Sequence, residues 1–105
     1  MVFLKIDDKK NIGYEINKNN LKPIDYVLIG VTMCLGHEIV ESSEENKFGE
    51  VCVYFGNNKL KISCVCEDND RVRFKEIISN CYIVQNLKFE KEVSFKSFEK
   101  LDETH

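Results

Sequence analysis

Residues Val2 to Ile6 alternate so that Val2, Leu4 and Ile6 fall on one face of a strand. After a polar turn from Asp7 to Asn11 the alternation returns, grouping Ile12, Tyr14 and Ile16. Two period-two runs around a short polar turn predict a hairpin within residues 1–20. The pattern breaks from Asn17 to Lys22, and Pro23 opens a different period. Ile24, Val27, Leu28, Val31, Leu35 and Ile39 recur at helical spacing. Proline suits the first helical turn, where its missing N–H forfeits no hydrogen bond. The spacing predicts a helix over 23–43. From Tyr26 to Leu35 it is apolar on most sides, which predicts packing on several faces. Gly30, costly inside a helix, predicts close approach by another element.

Glu44 to Glu50 reads as a solvated loop. Two strands follow within 51–66, folded back at Gly56-Asn57-Asn58-Lys59, a sequence suited to a tight reversal. Glu67 to Asp70 is a polar turn with Asp70 as a candidate cap. Phe74, Ile77, Ile78 and Cys81 then mark the apolar stripe of a second helix over 70–83. Leu87, Phe89, Val93 and Phe95 predict a final strand over 87–97, followed by a frayed end. The expected order is β-β-α-β-β-α-β: one α+β domain with a buried central helix against an antiparallel sheet.

Composition narrows the function classes. At 105 residues the chain is one domain. Its core can stand alone or be completed by a second copy. The 15 basic and 18 acidic residues give a net charge of -3, without the basic face of a nucleic-acid binder. Arg71 and Arg73 are the sole arginines. The first residues lack the basic-then-apolar pattern of a signal peptide. The longest apolar run, Tyr26 to Leu35, is about ten residues, short of a bilayer span. A soluble, cytoplasmic protein without membrane or nucleic-acid partners is expected.

Five cysteines in a chain of this kind do not form a secreted disulfide scaffold. Cys52 lies on the strand face opposite Val51, Val53 and Phe55, whereas Cys64 and Cys66 share the face of Leu60 and Ile62. Burial as small hydrophobes accounts for all three. The Cys-x-Cys pair is also compatible with zinc, but no second knuckle or histidine pair accompanies it, and no metal is expected. Cys34 sits in the first helix with His37 and Glu38 at i+3 and i+4, within reach of its thiol. A protonated histidine there would favour the thiolate; the plainer reading is a core thiol with His37 in solvent. Cys81 ends the second helix's stripe. A disulfide between the helices requires Cα atoms within about 7 Å.

The run Pro-Ile-Asp-Tyr-Val-Leu-Ile-Gly-Val-Thr-Met-Cys-Leu-Gly, with Pro23 eleven residues before Cys34, resembles the central helix of the OsmC/Ohr proteins. Cys81-Tyr-Ile-Val, between an amphipathic helix and a last strand, resembles that family's second-helix cysteine, with Tyr82 where proline is usual. The resemblance runs from about Lys22 to Lys96. The peroxidase members share an N-terminal arginine and a glutamate directly after the proline. Here the N-terminal region has no arginine, Ile24 follows Pro23, and Asp25 comes one place later. That arrangement, with Cys34-Leu35-Gly36, is similar to a less-characterised archaeal and bacterial branch.

The resemblance implies an intertwined homodimer that reduces organic hydroperoxides. Cys34 would be the peroxidatic thiol and Cys81 the resolving thiol, regenerated by an external dithiol without a bound cofactor. His37, Glu38 and Asp25 are the accompanying candidates: the first two as thiol-activating or proton-accepting groups, the third as an orienting group or a helix-end charge. Two other functions stay open. The dimer interface can hold a small hydrophobic ligand without catalysis, or the chain can be a structural, partner-binding protein using Phe89, Phe95 and Phe98.

Overall fold

A computed structural model describes residues 1–17, 19, 21–43, 48–86, 88 and 90–97. Strands β1 (Val2–Asp7) and β2 (Ile12–Ile16) form the expected hairpin, with Leu4 opposite Tyr14. Its turn is tied by Asp7, whose carboxylate accepts the backbone N–H of Lys9 at 2.9 Å and of Asn11 at 2.8 Å. Helix α1 (Pro23–Glu41) follows, then β3 (Phe48–Gly56) and β4 (Lys59–Cys66). Asn57 and Asn58, at φ of 51° and 58°, make the reversal between them. Two consecutive left-handed residues match the twist of a two-residue hairpin, and asparagine tolerates them. Helices α2 (Asp68–Asn80) and α3 (Tyr82–Asn86) lead to β5 (Glu90–Ser97).

The five strands form one sheet in the order β2-β1-β3-β4-β5. The β1/β2, β1/β3 and β3/β4 pairs are antiparallel, but β4 and β5 are parallel. The expected antiparallel sheet is therefore mixed. A hairpin reverses a strand's direction, whereas the helical connection through α2 and α3 restores it.

The helices cover one face. Val2, Leu4, Ile6, Val51, Val53, Phe55, Leu60, Ile62, Cys64 and Cys66 point toward them and are buried. From α1 come Val31, Leu35, Ile39 and Val40, and from α2 Phe74 and Ile78. A Cβ on Gly36 would overlap the Leu4 side chain, so α1 sits against β1 at the one helical position that permits it.

Several details differ from expectation. Helix α1 is packed along one side only: Ile24, Tyr26 and Val27 are exposed, and nothing lies within 4 Å of where a Cβ on Gly30 would stand. Helical period alone cannot distinguish a side awaiting a partner from one already covered. By length and composition α1 as a whole is apolar enough to cross a membrane, although the run from Tyr26 to Leu35 is not; here its inner side packs on the sheet. Glu67, not Asp70, is the N-cap of α2; Asp70 lies inside the first turn and is buried. The second helix stops at Asn80, Cys81 is extended, and a short extra helix follows. Phe48, expected in a loop, is a buried strand residue. Leu87, Phe89 and Phe98 lie outside the described residues.

Candidate functional site

Pro23 begins α1, and the Asp25 carboxylate accepts the Lys22 N–H at 2.8 Å. This is capping chemistry: Asp25 satisfies a donor at the helix entry and places negative charge at its positive end. Three turns further on, Cys34 is exposed on the border between the sheet-packed side of α1 and its open side.

The ends of α1 and α2 are fastened together. Ser43 Oγ donates to Asp70 Oδ2 at 2.7 Å, and Arg73 Nη1 reaches Asp70 Oδ1 at 3.3 Å and the Ser42 carbonyl at 3.2 Å. Asp70 is only 3% exposed. A buried carboxylate is tolerated when hydrogen bonds and an opposite charge replace its water. The fastening sets the end of α1 beside the start of α2, so α2 runs back along α1 and leaves a groove between them.

That groove holds about 540 Å³. Val31, Leu35 and Ile77 supply apolar walls; Glu38, Arg73 and Glu76 supply charge; Cys34 and Cys81 are the two thiols in its lining. Cys34 comes from α1 and Cys81 from the extended residue that ends α2. Both are free. Glu38, one turn beyond Cys34, shares the groove with it. His37 is exposed and is not among the lining residues, because i+3 carries it past the edge that faces α2.

The strand thiols are held in their protonated form. Burial pushes Cys64 up to about 12, with neighbouring Cys66 and Cys52 adding to the effect. Cys66 is pushed up to about 11 by burial and then by the Asp70 charge. Cys52 is pushed up to about 12 by burial and by donating its S–H to Glu50 Oε1 at 2.9 Å. At pH 7 a thiol with a pKa of about 12 is thiolate in about one molecule in 10⁵ and one at about 11 in about one in 10⁴, so these sulfurs are poor nucleophiles. Among the described residues no three His, Cys, Asp or Glu side chains converge as a metal site.

Arg73, Glu76 and Asn80 also line the groove and were not singled out from sequence. Their signal was their spacing beside Ile77 and Cys81, which puts all five along one edge of α2. That edge acquires meaning only once α1 lies next to it. No family model, curated protein or solved structure matches the chain.

Proposed function

We propose that the chain is a thiol redox protein of OsmC/Ohr type that reduces organic hydroperoxides, with Cys34 as the attacking thiol and Cys81 as the resolving one. The observation that carries this reading is that Cys34 and Cys81 line a single groove, whereas burial keeps the three strand thiols protonated. The Cys34 thiolate attacks the terminal oxygen of the hydroperoxide. A sulfur–oxygen bond forms, the O–O bond breaks, and the leaving alkoxide takes a proton to depart as an alcohol. The resulting sulfenic acid is displaced by the sulfur of Cys81, its hydroxyl leaving as water with the Cys81 proton. An external dithiol returns the disulfide to two thiols by exchange.

Glu38 is placed to accept the Cys34 proton in this scheme, and among the described residues Arg73 is the cation in the groove lining. Asp25 contributes by capping α1, and His37 stands apart from the reacting atoms. The apolar walls suit an alkyl or aryl substituent on the hydroperoxide. The working form in this reading is a homodimer that covers the exposed side of α1, where Ile24 and Val27 lie beyond the cover of their own chain. Its compartment is the reducing cytoplasm, where dithiols regenerate the pair.

Intact and peptide mass spectrometry before and after one equivalent of cumene hydroperoxide tests the scheme. The expected product is a Cys34–Cys81 disulfide, with Cys52, Cys64 and Cys66 unmodified. Turnover that persists in Cys34→Ser would overturn it. The same apolar walls of Val31, Leu35 and Ile77 favour a second reading, non-catalytic binding of a small hydrophobic ligand. Native mass spectrometry showing a co-purified apolar molecule, with no peroxide consumption, would support that reading instead.

A further inference from the structure

We propose that the cleft between α2 and β5 binds small anionic amphiphiles, with a carboxylate head at Arg71 and Lys75 and an aliphatic tail along Ile78, Val93 and Phe95. This cleft lies on a different side of α2 from the thiol groove and holds about 320 Å³, lined by Lys75, Ile78, Ser79, Val93 and Phe95. The inference is independent of the redox reading.

Two observations carry it. The first is charge. Arg71 and Lys75 stand one helical turn apart, a spacing at which like charges repel. Both lie over the same ring: the Arg71 guanidinium is 5.9 Å and the Lys75 ammonium 5.6 Å from the Phe95 centroid. Asp68 approaches Arg71 at 3.7 Å from a largely exposed position, and Lys75 makes no ion pair among the described residues. Alternation along β5 puts Lys91 on the same face as Val93 and Phe95, adding a third cation in a chain of net charge -3. An anion is the complement to this arrangement.

The second is the apolar strip. Val93 pairs with Ile62 across β4 and β5, yet Ile62 is 1% exposed and Val93 40%. Val93 and the half-buried Phe95 line the cleft from the β5 side. Ser79, two turns from Arg71, adds a hydroxyl at the wall. A monocarboxylate with a medium-length aliphatic tail matches charge at one side and apolar surface beside it.

The test is calorimetric titration of the intact protein with sodium decanoate and, separately, with decanol, with assigned amide resonances followed in parallel. Decanoate is expected to bind at least tenfold more tightly than decanol and to shift resonances around Lys75, Ser79, Val93 and Phe95. Lys75→Glu is expected to weaken decanoate about tenfold while Lys75→Arg retains it. Lys75 is exposed, so both variants keep the fold; circular dichroism checks this, and Lys91→Glu provides a second reversal away from α2. Equal affinity for decanol, unchanged affinity in both glutamate variants, or shifts centred on Cys34 and Cys81 would overturn the proposal.

Discussion

Ser43 Oγ donates to Asp70 Oδ2 at 2.7 Å, joining the residue after the C-cap of α1 to the first turn of α2. The two residues are 27 positions apart, and both are buried. With the Arg73 bridge to Ser42, this contact orients α2, at whose end Cys81 sits, against the helix that carries Cys34.

Ser43→Ala removes the hydroxyl and leaves part of a buried carboxylate's hydrogen bonding unmet. A loss of about 1–3 kcal/mol is expected. Urea unfolding followed by circular dichroism measures it. Faster alkylation of Cys81 in the folded variant should accompany it, since the helices are held at this end.

Stability should fall in alkali. Cys52 and Cys64 have folded pKa values pushed up to about 12 and Cys66 to about 11, above the usual unfolded thiol range. A raised folded pKa means that the stabilisation is complete below the unfolded value and disappears as pH climbs through the folded one. The fully buried Cys64 and Cys66 then each cost about 1.4 kcal/mol per pH unit within that window. Thermal unfolding from pH 8 to 11 should show the fall, and Cys64→Val should flatten it. Iodoacetamide at neutral pH should reach Cys34 first and Cys64 and Cys66 only on unfolding.

Glu38→Gln should slow sulfenic acid formation at Cys34 by about a hundredfold, the low end of what a positioned proton acceptor contributes. His37→Gln should leave the rate unchanged. Stopped-flow oxidation with cumene hydroperoxide compares the two variants directly, and a reversed order would move the proton acceptor to His37.

Gly30 and Gly36 share a helix but predict opposite outcomes. A methyl at Gly30 meets nothing within 4 Å, so Gly30→Ala should stabilise the protomer by about 1 kcal/mol through helix propensity. A methyl at Gly36 overlaps the fully buried Leu4, so Gly36→Ala should destabilise by about 1–3 kcal/mol. Chemical denaturation of both variants decides. A loss at Gly30 would show that a partner copy packs there.

Sedimentation velocity tests the homodimer. The expected species has twice the 12.3 kDa chain mass, and Val27→Glu on the open side of α1 should return it to one chain. A single-chain species in the unsubstituted protein removes the dimer from the proposed function.

The fold's elements were legible because local patterns carry them. Period-two runs at Val2–Ile6 and Ile12–Ile16, Pro23 ahead of a helical stripe, and Asn57-Asn58 between two apolar runs each depend on neighbours close in the chain. The same alternation set Cys52 on the strand face opposite Val51, Val53 and Phe55; burial, expected for all three strand thiols, holds for Cys64 and Cys66 but only in part for Cys52. The direction of β5 was not readable: a strand's residues look alike whichever neighbour it joins, and the helical crossover decides between parallel and antiparallel. Nor could helical period distinguish the buried side of α1 from the open side at Ile24 and Val27, because both are apolar.

For the site, the residue types at Cys34, Glu38 and Cys81 were visible one by one. Their meeting in one groove was not, because it depends on Ser43, Asp70 and Arg73 fastening two helices whose residues are far apart in the chain. By itself the sequence determined the order of the five strands and the two long helices, though not α3, and which thiols lie on strands. Tertiary packing alone decided which thiols share a surface, which side of α1 stays open and where cations gather over Phe95, since each depends on contacts between distant segments.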